Sequence, residues 1–199
     1  SKSREQVGDV ALPTVALAGG VVLGVAANAA AYHAGILSAP AAFAVAALLA
    51  YLAFTPLHEA SHANVAGRNH RFRRLDDAVG WLMGGLLLAP FPTFRALHLE
   101  HHGHTNDRDR DPDVWVEARS PLAVLLRCAT IMPHYYWTLA AGVRQGRAPY
   151  LRVWRSTLVG LAVLLSIAAG LVVAGFGWDI LLLWVGPSVA AQTVLSLVF

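Results

Sequence analysis

Residues 39–62 have the sequence APAAFAVAALLAYLAFTPLHEASH, an apolar run that ends on His58, Glu59 and His62. A helix needs about 20 apolar residues to cross a bilayer, and this run supplies them before its first charge. Histidines four positions apart lie on one face of a helix, one turn from each other. The stretch therefore predicts a membrane-spanning helix that carries a pair of imidazoles at one membrane boundary.

Three further runs of similar length and hydropathy are present. Together the four runs predict an all-α integral membrane protein with spans at about 10–32, 39–57, 156–176 and 180–199. Short connections pair the spans into two helical hairpins within a single domain that covers 1–199. Only 14% of the residues are charged, against about 25% in an ordinary soluble domain, so the composition argues against a soluble or nucleic-acid-binding protein.

The basic residues are confined to two segments. All 15 Lys and Arg lie in 1–9 or in the middle segment 58–155, and neither hairpin tip has any. By the positive-inside rule both segments face the cytoplasm, and we expect the inner membrane of a bacterium. Two shorter apolar stretches, 78–94 and 121–143, contain prolines and predict an interfacial or re-entrant segment and a helix at the membrane surface.

A second group of histidines lies in the middle segment. The sequence His98-Leu-Glu-His101-His102 places three imidazoles on one face of a predicted helix, which we expect Gly103 to end. Crowded imidazoles repel one another when protonated, whereas a cation that takes neutral nitrogen ligands holds them together. The single cysteine, Cys128, excludes a thiolate cluster. The two groups therefore predict a histidine-ligated metal site where the spans meet the cytoplasm.

The H-x-x-x-H pair at the end of one span and the H-x-x-H-H group that follows it resemble the histidine boxes of the membrane fatty acid desaturase and hydroxylase superfamily. The resemblance implies a non-haem centre of two iron ions that activates O2. It also implies O2-dependent desaturation of a lipid acyl chain, or a closely related hydroxylation. The iron ligands carried over onto this chain are His58, His62, His98, His101 and His102, with His104 as a further candidate.

Acidic and amide side chains near the two groups are candidates for orienting the ligands. Glu59 occupies a place where the superfamily often has an acid, so the resemblance implies a partner that holds a ligand imidazole through its far N–H. Asn106, Asp111 and Asp113 could act likewise, and a solvated acidic loop is the alternative for them. His33 is excluded from the site because the predicted topology places it at the opposite membrane face.

The superfamily has a third histidine box after its fourth span, and this sequence has no histidine after His134. We therefore expect the chain to be a fragment that ends before that box. The complete activity is then expected of a longer protein rather than of these 199 residues alone.

The expected partners follow from the substrate class and from what the chain lacks. We expect a long apolar lipid as substrate, because the site lies where the spans meet the interface. The sequence has no Gly-rich nucleotide loop and no cysteine motif for an iron–sulfur cluster or attached haem, so electrons must come from a separate ferredoxin or cytochrome with its reductase. A cluster of arginines could bind that electron donor or anionic lipid headgroups; its members are Arg68, Arg71, Arg73 and Arg74. Alternatively, these arginines only set the orientation of the chain in the membrane.

Three other functions stay open at this point. The stretch from His98 to Asp113 is similar to the carotenoid ring hydroxylase branch, which predicts a carotenoid substrate. The pattern His58-Glu59-x-x-His62 also fits an intramembrane zinc protease with Glu59 as general base, although it leaves the second histidine group unexplained. The third is a metal-binding membrane protein without catalysis, which a coding sequence that lacks another histidine box would favour.

Overall fold

Helices account for the whole secondary structure of the part of the chain that can be described. The structure is a computed structural model that describes residues 10–67 and 72–198, and within these ranges it contains no strand. The cytoplasmic prediction for 1–9, the positions of Arg68 and Arg71, and the last residue of the fourth predicted span lie outside the described residues. The all-α prediction is confirmed.

Four of the described helices are long and apolar enough to cross a membrane. They are α1 (Leu12–His33), α2 (Ala39–Ser61), α7 (Ala148–Val173) and α8 (Gly177–Val198), the last with a π-helical turn at Ile180–Val185. Their number and their pairing into hairpins agree with the sequence prediction. The structure places His33 at the other end of the spans from the second histidine group, beside Asp179 (Nε2–Oδ1 3.1 Å).

Helix α7 begins at Ala148, earlier than the predicted start at 156. The apolar run marks only the part of a helix that lipid surrounds, and α7 opens with turns that pack against protein instead. Tyr150, the third residue of α7, is fully buried next to Leu139. The helix is therefore longer than the span that its hydropathy predicts.

The middle segment forms shorter helices between the two hairpins. They are α3 (Arg73–Leu86), α4 (Phe91–His104), a 3-10 turn (Pro112–Val116), α5 (Pro121–Ala129) and α6 (Ile131–Arg144). The expectation that Gly103 ends α4 is wrong, because the helix continues to His104. A glycine costs a helix only about 1 kcal/mol, and the chain turns instead at Asn106, which adopts a left-handed conformation (φ 66°).

Helix α2 lies between α1, α3 and α8. Its buried alanines, among them Ala46, Ala50 and Ala53, allow these neighbours to approach closely. A second group of buried side chains, including Leu97, joins α4 to α6 and α7. The two cores lie on either side of α4 and bring its histidines against the end of α2.

Candidate metal centre

Four histidines from two helices converge at the end of α2. His58 and His62 come from that end, and His98 and His102 come from the second half of α4. One nitrogen of each of the four rings lies within 4.8 Å of one nitrogen of every other ring. The pairs between the two helices join residues 36 or more positions apart in sequence, so the cluster depends on the packing of α4 against α2.

His98 lies at the centre of this four-histidine cluster. Its Nε2 is 3.1 Å from His62 Nε2 and 3.1 Å from His102 Nε2. The ring centroids of His58 and His98 are 4.7 Å apart. Phe94, one turn earlier on α4, stacks on the imidazole at 5.1 Å and 12°. The stacking and the burial of His98 fix the ring plane.

Burial and the proximity of other imidazoles favour the neutral forms of His98 and His62. Desolvation, followed by the neighbouring imidazoles, lowers the pKa of His98 from its ordinary value to about 3. Desolvation and then His58 and His102 also lower the pKa of His62. A neutral imidazole presents a lone pair on one ring nitrogen, which is the form that binds a metal ion.

The spacing of the nitrogens fits a shared cation. His98 Nε2 faces two other Nε2 atoms at equal distance, and one imidazole nitrogen carries either a proton or a lone pair, so it cannot make a good hydrogen bond with both. Nitrogens bound to one metal at about 2.1 Å lie about 3.0 Å apart at right angles and about 3.4 Å apart in a tetrahedron. The observed separations of 3.1 Å lie in this interval, so the cluster could hold a metal ion.

Glu59 orients one of the four rings. His58 Nδ1–H donates to Glu59 Oε1 (3.2 Å), which leaves His58 Nε2 with its lone pair. The other carboxylate oxygen accepts from Asn64 Nδ2 (3.0 Å). Glu59 thus contacts the Nδ1–H of a candidate ligand, and a carboxylate in that position can orient a ligand imidazole.

His101 lies beside the cluster in a second group with two carboxylates. The structure places it with Asp111 and Asp113, and its ring lies 5.5 Å from that of His102. His101 Nδ1–H donates to Asp111 Oδ1 (2.8 Å), so its Nε2 keeps a lone pair. Of the five histidines predicted as ligands, four therefore form one cluster and the fifth stands next to it, held by the acidic loop.

Asp111 organises the loop that follows α4. Its carboxylate also accepts the backbone N–H of Asn106 (2.8 Å) and of Asp113 (2.9 Å). Burial alone would raise the pKa of Asp111, but the hydrogen bonds from His101 and these two amides outweigh it and lower the pKa. Asn106 thus enters the site through its main chain, and Asp111 is an ionised partner of His101 rather than a solvated loop residue.

Two contacts that the sequence pattern did not reveal hold this arrangement in place. The buried hydroxyl of Tyr135 on α6 donates to Asp113 Oδ1, and burial raises the pKa of Asp113. On the opposite side of α4, Arg147 Nη2 donates to Glu100 Oε1 (2.6 Å) and so fixes the rotation of the helix. No spacing rule links Tyr135 or Arg147 to a histidine box, and only the packing of α6 and α7 reveals them.

His104, the further candidate ligand, lies outside both groups. Its Nδ1–H donates to the carbonyl of Glu100 (3.1 Å), one turn back on α4. We therefore expect His104→Ala to bind as much metal as the unmodified protein, within about twofold, because the nitrogens of the cluster are untouched. Metal quantification of the purified variant tests this, and loss of half of the metal or more would make His104 a ligand.

A cavity of about 520 Å³ adjoins both groups of side chains. Histidines 58, 98, 101 and 102 form part of its wall. The rest is mainly apolar and comes from several helices: Phe54, Leu57, Leu87, Ile131, Met132 and Leu195. The site thus combines a set of imidazole nitrogens with room for an apolar molecule beside them.

Comparison with known proteins gives a family match. The family model described as fatty acid desaturase matches residues 34–199, which contain both histidine groups and the acidic loop. No curated protein and no solved structure matches the chain.

Proposed function

This chain belongs to the fatty acid desaturase family, and we propose that it serves O2-dependent desaturation of a lipid acyl chain at an iron centre held by His58, His62, His98 and His102. The family makes it a multi-pass membrane protein of oxidoreductase type. The observation that carries the proposal is the convergence of four imidazoles from α2 and α4 beside a largely apolar cavity.

The reaction needs a group that the side chains do not supply. Desaturation removes two hydrogens from adjacent saturated carbons, and O2 with two electrons and two further protons is reduced to two waters. A redox metal supplies the oxidising power for breaking such unactivated C–H bonds. Iron suits the donor set, since imidazole is among the ligands that iron takes in proteins.

The protein's own residues hold the donors and exclude water. Glu59 and Asp111 bind the Nδ1–H groups of His58 and His101, so that each ring directs its Nε2 lone pair away from its carboxylate partner. Phe54 and Phe94 pack beside the cluster with their rings perpendicular at 6.1 Å. We infer that His101, beside Asp111 and Asp113, would contribute to a second iron position.

Substrate and electron donor are assigned on chemical grounds. The apolar part of the cavity wall suits methylene groups, and we place the polar headgroup of the lipid outside the cavity. Electrons are supplied by a separate ferredoxin or cytochrome with its reductase. The histidine end of the spans faces the cytoplasm in this proposal, as the distribution of Lys and Arg predicts.

The zinc protease alternative is disfavoured by the position of Glu59. In that mechanism the glutamate must be available to a metal-bound water, whereas here both of its oxygens are engaged, one by His58 and the other by Asn64. Carotenoid hydroxylation would use the same kind of centre but differs in its substrate and in its product, because one oxygen of O2 enters the product as an alcohol and the other leaves as water.

Product analysis in a host that lacks desaturases and carotenoid hydroxylases tests the proposal. The full coding sequence is expressed with iron, and the cells are supplied with saturated fatty acids and with β-carotene in separate cultures. We expect new unsaturated acyl chains in the lipid fraction, formed only under O2. Hydroxylated carotene without unsaturated lipid would overturn the substrate assignment, and proteolytic products without either would overturn the reaction class.

A further inference from the structure

The end of α3 and the turn that follows it are held in an unusual way, because four consecutive carbonyls, the last two of the helix and the first two after it, each receive a side-chain donor from another helix. Three donors lie on α8, four positions apart and hence on one face, and the fourth lies on α6. Trp184 Nε1 donates to the carbonyl of Gly85 (3.1 Å), and Ser188 Oγ donates to that of Leu86 (2.5 Å). Gln192 Nε2 donates to the carbonyl of Leu87 (2.5 Å), and the hydroxyl of Tyr136 donates to that of Leu88. We call Trp184, Ser188 and Gln192 the donor stripe.

Such complete capping is needed where water is absent. The last four carbonyls of any helix lack partners within the helix, and water satisfies them at an exposed end. Inside a bilayer each unsatisfied group costs several kcal/mol. Ser188 and Gln192 are buried polar residues within an apolar span, a placement that is rare unless the side chain has a specific partner.

The neighbours of α3 show that it runs from the histidine end of the spans toward their middle. At its start, Asp76 Oδ1 accepts the N–H of Val65 (2.9 Å), just after the end of α2. At its end, a Cβ on Gly85 would lie 3.8 Å from Leu164 of α7. Leu164 lies about 14 Å of helical rise beyond Arg155, the last basic residue before the apolar part of α7. Trp184, the donor to Gly85, lies about 21 Å of helical rise from Val198, the end of α8 that is on the same side as the four-histidine cluster.

Helix α4 then returns to the histidine end. Pro90 packs at Gly160 of α7, where an added Cβ would lie 3.1 Å from the proline ring. Three residues later, Thr93 and Thr157 share a hydrogen bond (2.8 Å). The helix reaches the four-histidine cluster at His98. With 14 residues in each helix, or about 21 Å, neither can cross the roughly 30 Å hydrocarbon core alone.

Side chains on the outer face of α3 agree with this depth. Leu82 is 57% exposed and Trp81 is 39% exposed, next to an apolar groove that Val163 and Ile167 of α7 also line. Large apolar side chains exposed at the level of the spans face lipid rather than water.

We propose that α3 and α4 form a re-entrant hairpin whose tip lies inside the bilayer, and that the donor stripe holds this tip. The stripe thereby positions the start of α4, and with it His98 and His102 against His58 and His62. Its members act through the backbone of α3 and are positioning residues. The proposal depends on the chain spanning a membrane and not on the reaction assigned above.

Thiol labelling tests the depth of the hairpin. In a Cys128→Ala background, Asp77→Cys and Leu82→Cys are treated with a membrane-impermeant maleimide in sealed vesicles of both orientations. We expect Asp77→Cys to react from one side, and Leu82→Cys to react at least about tenfold more slowly from both sides, although both react fully in denaturant. Equal rates for the two thiols, or reaction of Leu82→Cys from the face opposite to Asp77→Cys, would overturn the re-entrant arrangement.

Metal binding tests the positioning role. Gln192→Leu keeps the side-chain size but removes the donor, and Thr193→Ala is the control because its hydroxyl bonds only within α8, to Val189 O (2.7 Å). We expect the folded Gln192→Leu protein to bind Co²⁺ about tenfold more weakly by optical titration, and Thr193→Ala to match the unmodified protein. If Gln192→Leu does not fold, Ser188→Ala is compared with Ser188→Thr, and only the threonine is expected to keep the affinity. Unchanged Co²⁺ affinity in the folded donor-less variant would overturn the positioning role.

Discussion

His98→Ala is expected to lose bound metal and product formation together, with turnover at least about 100-fold lower. Even the outer partners of metal ligands are worth about 10–100-fold in affinity or activity. Among the described residues, His98 is the one whose Nε2 lies 3.1 Å from two other imidazole nitrogens. The change also removes the ring that Phe94 stacks on. Chromatography of acyl chains from cells that express each variant measures the loss, and optical titration with Co²⁺ measures the binding.

His33→Ala is the matched control for this prediction. It deletes the same side chain at the other end of the spans, where the imidazole pairs with Asp179. We expect its turnover to stay within about twofold of the unmodified protein. A His98→Ala protein that folds, inserts and still forms product at the unmodified rate would contradict the assignment of the cluster.

Asp111→Asn should weaken metal binding at the second position, to which His101 contributes, by about 10–100-fold, the range found for partners of ligand imidazoles. The substitution keeps the shape of the side chain but removes the charge that accepts His101 Nδ1–H at 2.8 Å. It also weakens the two backbone hydrogen bonds that hold the loop at Asn106 and Asp113. We therefore expect His101 to lose its fixed orientation while the helices remain formed.

Calorimetric or optical titration of Asp111→Asn with Fe²⁺ or Co²⁺, alongside its thermal unfolding, measures the effect. Asp109→Asn, an exposed change in the same loop, serves as its control and should bind like the unmodified protein. If Asp111→Asn lowers the unfolding temperature but leaves metal affinity unchanged, Asp111 only stabilises the loop, and its assignment to the metal site is wrong.

The sequence could predict the spans and the composition of the cluster because both depend on local patterns. Hydropathy over about 20 residues gives the number of spans. The spacings in His58–His62 and His98–His102 give shared helix faces, and these two pairs are the ones that the structure brings together.

Other features depend on contacts between distant segments and left no local signal. The sequence placed His101 with His98 and His102, yet its Nδ1–H is held by Asp111 in the loop beyond α4. Helix α4 continues through Gly103 to His104, and the loop that Asp111 holds follows it. The sequence does contain one signal, the polar residues Ser188 and Gln192 within an apolar span, because such residues usually have a specific partner. Their partners, the carbonyls of Leu86 and Leu87, could only be identified from the fold.

Metal analysis of the protein, expressed from its full coding sequence and purified from cells supplied with both iron and zinc, tests the central claim most directly. Mass spectrometric quantification should find iron at one or more ions per chain, and zinc at a small fraction of that amount. Zinc as the bound metal, or the absence of any stoichiometric metal in folded protein, would contradict an iron centre built from His58, His62, His98 and His102.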